Sequence, residues 1–134
     1  MLFKKYRSVP VSTTAGNPDW QKLTVAKGKL VQWVIFFDPE AANMLHVRVE
    51  YHGHQIMPFS GSEWVVAFLQ PITLGENILI EDAPYELDIF AYNTSTANEH
   101  EYYLHANIEP EKPLAVSEVS EEWWSQIKGL VGSE

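Results

Sequence analysis

Three stretches of this chain alternate apolar and polar residues with a period of two. Over 45–52 (LHVRVEYH), Leu45, Val47, Val49 and Tyr51 fall on one side, and His46, Arg48, Glu50 and His52 on the other. Over 85–92 (YELDIFAY) the apolar side is Tyr85, Leu87, Ile89 and Ala91, and over 101–108 (EYYLHANI) it is Tyr102, Leu104, Ala106 and Ile108. A strand sends successive side chains to opposite faces, so each stretch reads as a strand with one face in a core. Strands need partners, and the repetition of the pattern commits the chain to sheets.

Two other runs are almost wholly apolar. Leu30 to Phe37 (LVQWVIFF) ends at Asp38-Pro39, and Trp64 to Leu69 (WVVAFL) ends at Gln70-Pro71. The first reads as a central strand buried on two sides. His54 to Met57, Ile72 to Leu74 and Ile78 to Ile80 are shorter strand candidates, with Gly75-Glu76-Asn77 as a turn between the last two. The segment DPEAANM at 38–44 reads as a hairpin connection or one helical turn, and NTSTAN at 93–98 as a polar loop. About eight strands spaced by turn residues are the signature of an antiparallel sandwich or barrel. The expected fold is all-β: one antiparallel β-sandwich, jelly-roll-like, followed by a short C-terminal amphipathic helix. The expected layout is a basic N-terminal arm over 1–20, the sandwich over 21–110, and an acidic linker with the helix over 111–134.

Charge is unevenly spread along the chain. Residues 1–30 hold six basic side chains, including Lys4, Lys5 and Arg7, against the single acid Asp19; residues 31–134 hold three against seventeen. The net charge of −9 argues against a nucleic-acid-binding domain, which needs a basic surface, and leaves nucleic acid only the basic arm. The arm either folds back on its own acidic body or meets the acidic face of a neighbouring copy. The segment STTAGNPD at 12–19 reads as a turn-rich linker that would let the arm detach. In the C-terminal segment, Val116, Val119, Trp123, Ile127, Leu130 and Val131 recur at helical spacing. That stripe docks either on the chain's own sandwich or on a partner or the same helix of sister subunits. Trp123 and Trp124 point about 100° apart on a helix, so one docking face would not bury both, which favours the partner. The polar side of that stripe is acidic, which disfavours a membrane anchor.

Candidate chemistry is sparse. The chain has no cysteine, which removes disulfides, thiolate metal sites and a thiol nucleophile. No G-x-S-x-G elbow and no glycine-rich phosphate loop is present. His52 and His54 form an H-x-H pair that, on a regular strand, would share a face with His46, and His105 would be a late ligand. The pair is similar in type to that of the cupins, which are jelly-roll metalloenzymes. Those carry a glutamate a few residues on, whereas here the next acid is Glu63, so the spacing departs from that pattern. The expectation is no cofactor and a solvent-facing polar row.

Aromatic residues say more. Seventeen of 134 residues are Phe, Trp or Tyr, and several fall on expected polar faces: Phe90 and Tyr92 beside Glu86 and Asp88, and Tyr103 beside His105. Such rings suit a subunit interface or the stacking of sugar rings. Asn93-Thr94-Ser95 spells a glycosylation sequon but reads as a polar turn. The leading expectation is a non-enzymatic structural protein that associates with itself or a larger protein assembly. It would use Lys4, Lys5, Arg7, Phe90, Tyr92, Tyr103, Trp123, Trp124 and Ile127. Small jelly rolls with charged arms recur in capsid, decoration and tail components of viruses and phages, an analogy of architecture only. The alternatives are a carbohydrate-binding module and a cupin-like histidine–metal enzyme. With basic residues but no apolar block in MLFKKYRSVPV, the expected location is the cytoplasm or a virion, without a membrane partner.

Overall fold

The computed structural model describes residues 1–58 and 63–110. Nine strands are found among them: β1 (Leu2–Val9), β2 (Asp19–Thr24), β3 (Gly28–Phe37), β4 (Leu45–Tyr51), β5 (His54–Met57), β6 (Val65–Val66), β7 (Ile72–Ile80), β8 (Glu86–Asn93) and β9 (His100–Pro110). They form two antiparallel sheets, ordered β1-β9-β3-β7 and β2-β8-β4-β5, with β6 added beside β4. The chain behaves as one long hairpin folded at the β4–β5 turn. That turn pairs β4 with β5, and further out β3 pairs with β7, β2 with β8 and β1 with β9. Wrapping the hairpin on itself adds the β3–β9 and β4–β8 ladders. Eight strands in two such sheets are a jelly roll, as the sequence leads one to expect.

The alternating stretches set the inner faces. Tyr102, Leu104, Ala106 and Ile108 of β9 are fully buried, as are Leu45, Val47 and Val49 of β4 and Leu87, Ile89 and Ala91 of β8. The two sheets therefore close on one apolar core, with Trp33 and Tyr102 its largest side chains. In β3 a bulge between Leu30 and Gln32 lets Leu30 and Trp33 both face inward despite their odd spacing.

Several expectations change. The β3 run is not buried on both sides: Leu30, Trp33 and Ile35 are inside, while Val34 and Phe36 are half-buried on the outer face. The run 64–69 contributes only Val65–Val66, and Phe68 and Leu69 are 60% and 70% exposed, because Gln70-Pro71 ends the segment before a second strand can cover it. Residues 72–80 form one strand rather than two short ones. Gly75 stays extended and pairs with Gln32 beside the β3 bulge, so the expected turn does not form. The 38–44 segment holds a 3-10 turn over Pro39–Ala41, capped by Asp38, whose carboxylate accepts from the Glu40 amide at 3.0 Å.

The segment expected as an arm supplies β1 and then leads into β2, two strands that the period-two pattern does not mark. The 12–19 stretch is tied down, with Ser12 N–H donating to the Ser95 carbonyl and Thr13 N–H to that of Asn93. Asn93 is fully buried and its side-chain amide donates to the carbonyls of Val9 and Asn98, which fits a turn rather than a glycan acceptor. The expected helix, with Trp123, Trp124 and Ile127, lies outside the described residues.

Candidate functional site

Both sheets carry aromatic side chains on their outer faces. On the β1-β9-β3-β7 sheet, Tyr6 pairs in register with Tyr103, and Tyr103 with Phe36, so three rings stand in a row across three strands. The next row runs from Lys4 through His105 to Val34. Tyr6 and Tyr103 rings lie 4.9 Å apart, and His105 meets the edge of Phe36 at 5.2 Å. The carboxylate of Glu101 accepts from both phenols, Tyr6 at 2.8 Å and Tyr103 at 3.1 Å. These hydrogen bonds raise both phenol pKa values, that of Tyr6 to about 12, with smaller contributions from desolvation and neighbouring negative charge. Tyr6 is 52% exposed and Tyr103 38%, so two hydrogen-bonded rings face solvent on this outer face.

The other outer face is more crowded. Arg48 of β4 places its guanidinium 4.6 Å from the Trp64 ring and 5.2 Å from the Phe90 ring, and it bonds Glu50 at 3.1 Å. Trp64 stands edge-on to Tyr92 at 4.7 Å, and Tyr92 stacks flat on His46 at 4.2 Å and 5°. Burial pushes the His46 imidazole below its ordinary pKa, partly offset by the Met44 carbonyl, which favours the uncharged ring in this stack. Phe90 and Tyr92 are thus on the outward face, as their alternation implied, but are half covered by Arg48 and Trp64. The most open ring of this sheet belongs to Trp20 on the edge strand β2, 52% exposed. Its indole N–H donates to Asp88 Oδ1 at 2.9 Å.

The basic residues do not form one patch. Lys4 points outward, whereas Lys5 and Arg7 pair with the buried Leu104 and Tyr102 and so lie on the inward side of the edge strand β1. Arg7 holds Asp19 of β2 with two hydrogen bonds, 3.0 Å from Nε and 2.7 Å from Nη2, and this ties the two sheets together along one edge. Of the two readings of the basic segment, the geometry fits the one in which it folds onto its own body.

The three histidine candidates are not brought together. His52 and Gly53 form the two-residue β4–β5 turn, with φ of 50° and 80°, so the H-x-H pair does not lie along one strand. His52 Nε2 is spent on the carbonyls of Asp82 at 2.9 Å and Pro84 at 3.2 Å. His54 opens β5, and His105 is on the other sheet. Among the described residues no group of three or more His, Cys, Asp or Glu side chains is placed to hold a metal. The space between the sheets is filled by apolar side chains.

Sequence reasoning did not single out Tyr6, Glu101, Trp20 or Arg48, and it assigned Phe36 and Trp64 to the core, whereas both stand half-buried among outer-face side chains. Tyr6 and Trp20 lie in strands whose pattern was not legible, and the grouping of the others depends on cross-strand register.

No protein-family signature and no curated sequence matches the chain. Among solved structures it is similar to the P-domain of Penaeus vannamei nodavirus, with a TM-score of 0.39 and 8% identity over 79% of this chain and 96% of that one.

Proposed function

We propose that this chain is a non-catalytic structural subunit that assembles with further copies of itself. The outer face of the β1-β9-β3-β7 sheet is the contact, and a capsid, decoration or tail particle is the setting. What supports the reading is the Tyr6–Tyr103–Phe36 row: two tyrosines fixed by one carboxylate and exposed on the outer face of a sheet. Tyrosine is enriched in interfaces because it offers a large apolar area with few rotors and a polar tip. Covering each half-exposed ring contributes on the order of 1 kcal/mol. The pre-set hydroxyls remove much of the ordering cost of association. Jelly rolls serve as capsid subunits, lectins and cupins, so the fold is compatible with this use without selecting it.

Sedimentation and light scattering on the full chain provide the test. The native protein is expected to have a mass that is a multiple of 15.3 kDa. The Tyr6→Glu, Tyr103→Glu double variant, which buries charge in the contact, is expected to be monomeric and still folded, as read by its circular dichroism spectrum. A native protein that stays monomeric up to about 1 mM, the limit of weak association, overturns the proposal. So does a variant that assembles as well as the native chain.

A further inference from the structure

A second, separate site lies on the opposite sheet. A groove of about 280 Å³ opens beside Trp20 and is lined by Trp20, Lys22, His52, Pro84, Glu86 and Asp88. We infer that this groove binds the pyranose ring of a neutral glycan, with Trp20 as the stacking platform.

The platform is built rather than incidental. The indole N–H is already held by Asp88 Oδ1 at 2.9 Å, which fixes the plane of the ring and leaves its face, not its polar edge, as what it offers. The rim is polar and mixed in sign. Glu86 and Asp88 stand on the same outward side of β8, and the Lys22 ammonium sits 3.8 Å from Glu86 and 5.3 Å from the indole centroid. The far wall is pinned in place. Tyr51 donates to the Asp82 carbonyl at 2.7 Å and accepts from the Asp82 amide at 2.9 Å, and His52 binds the carbonyls of Asp82 and Pro84. A site with an aromatic floor and a few fixed polar groups needs little rearrangement to receive a ligand.

The chemistry selects the ligand class. A pyranose has one face of C–H groups, slightly positive, that packs on the negative face of an aromatic ring. Its edge carries hydroxyls that donate to carboxylates and accept from an ammonium, which are the groups at this rim. Two carboxylates repel phosphate-bearing or acidic ligands. The Lys22 ammonium lies over the ring, 5.3 Å from its centroid, which shuts out a ligand cation there; its half-exposed flexible stem lets it swing to the rim when a sugar takes the face. On the same face, Phe90 and Tyr92 are half covered by Arg48 and Trp64, so sugar stacking falls to Trp20 rather than to them.

The test titrates the full-length protein with neutral oligosaccharides built on glucose, galactose, mannose and N-acetylhexosamine, up to about 10 mM to reach weak single-site binding. Binding is followed through the tryptophan indole N–H resonances. At least one sugar class is expected to shift the Trp20 resonance saturably. Trp20→Ala, on an exposed outward position, should weaken that binding by about tenfold or more, and Trp20→Phe should lose less because it keeps a ring. Lys22→Ala combined with Glu86→Gln leaves the platform intact and should also weaken binding, which keeps the test informative if Trp20→Ala does not fold. No binding across the panel, or binding undiminished by the Trp20 and rim variants, overturns the assignment. The result is separable from self-assembly, since Trp20→Ala should leave the solution mass unchanged and Tyr103→Glu should leave sugar binding unchanged.

Discussion

Glu101 shows how one residue can order a surface. It stands on β9 beside two tyrosines that come from different strands, and its two carboxylate oxygens take one phenol each. Losing the phenol proton gives up the hydrogen bond to the carboxylate and, as a smaller effect, sets two negative charges against each other. This is why the Tyr6 pKa rises from 10.0 to about 12. The sign of the linked stability follows. The folded state holds the proton more tightly than the unfolded chain, so the contribution is complete below pH 10 and is lost as pH rises through about 12. Phenolate titration by ultraviolet absorbance or ring NMR should show Tyr6 and Tyr103 each ionising above the ordinary tyrosine value of 10.0. Glu101→Ala should bring both down toward 10. If both phenols titrate at ordinary values in the native chain, the shared carboxylate is not formed in solution. Little of this was legible in the sequence. Tyr103 could be placed on the outer side of β9 by alternation, but its pairing with Tyr6 depends on the β1–β9 register across nearly a hundred residues.

Elements differed in how clearly they announced themselves, and the difference has a physical cause. Strands β4, β8 and β9 lie in sheet interiors with one face in the core and one in water, which is the condition that writes a period of two into a sequence. Strands β1 and β2 are sheet edges. Their sequences, LFKKYRSV and DWQKLT, carry charged or polar residues on both faces, as edges do to avoid pairing with other chains, and this erases the alternation. Strand β7 misled for another reason: Gly75 suggests a turn, yet it sits extended in the ladder with nothing within 4 Å of where a Cβ would stand. Gly28 is the opposite case. It begins β3 between Pro110 of β9 and Ile80 of β7, and a Cβ there would lie 2.4 Å from the Glu109 carbonyl oxygen. That contact is backbone and cannot rotate away. Gly28→Ala should therefore destabilise the fold by about 1–3 kcal/mol, as overpacking does, seen as a lower urea midpoint at unchanged slope. Gly16→Ala, where a Cβ meets nothing within 4 Å, serves as the near-neutral comparison. Equal midpoints for the two variants would mean that the β3–β9 approach is looser than described.

For the molecule as a whole, the linear charge split loses its meaning once the hairpin is wrapped. The basic first thirty residues supply the edge strands β1 and β2 and open β3, and cations on both edge strands meet acids: Arg7 holds Asp19, and Lys22 lies near Glu86. Asp19 itself belongs to the basic segment, so part of its charge is satisfied internally. The jelly roll follows from the alternating strands and their order, while the use of the basic segment follows from three-dimensional pairing. This bears on how copies would associate. A contact in which a charged arm reaches an acidic neighbour is a long-range electrostatic one, and it weakens as the screening length shrinks from about 10 Å at 0.1 M salt to about 3 Å at 1 M. A contact made by the Tyr6–Tyr103–Phe36 row is a burial of apolar area and does not depend on screening. The association constant measured by sedimentation should therefore change by less than about threefold between these salt concentrations. The association should also show a negative heat-capacity change, the signature of apolar burial. An oligomer that falls apart in 1 M salt would return the basic segment to the interface and displace the tyrosine row from it.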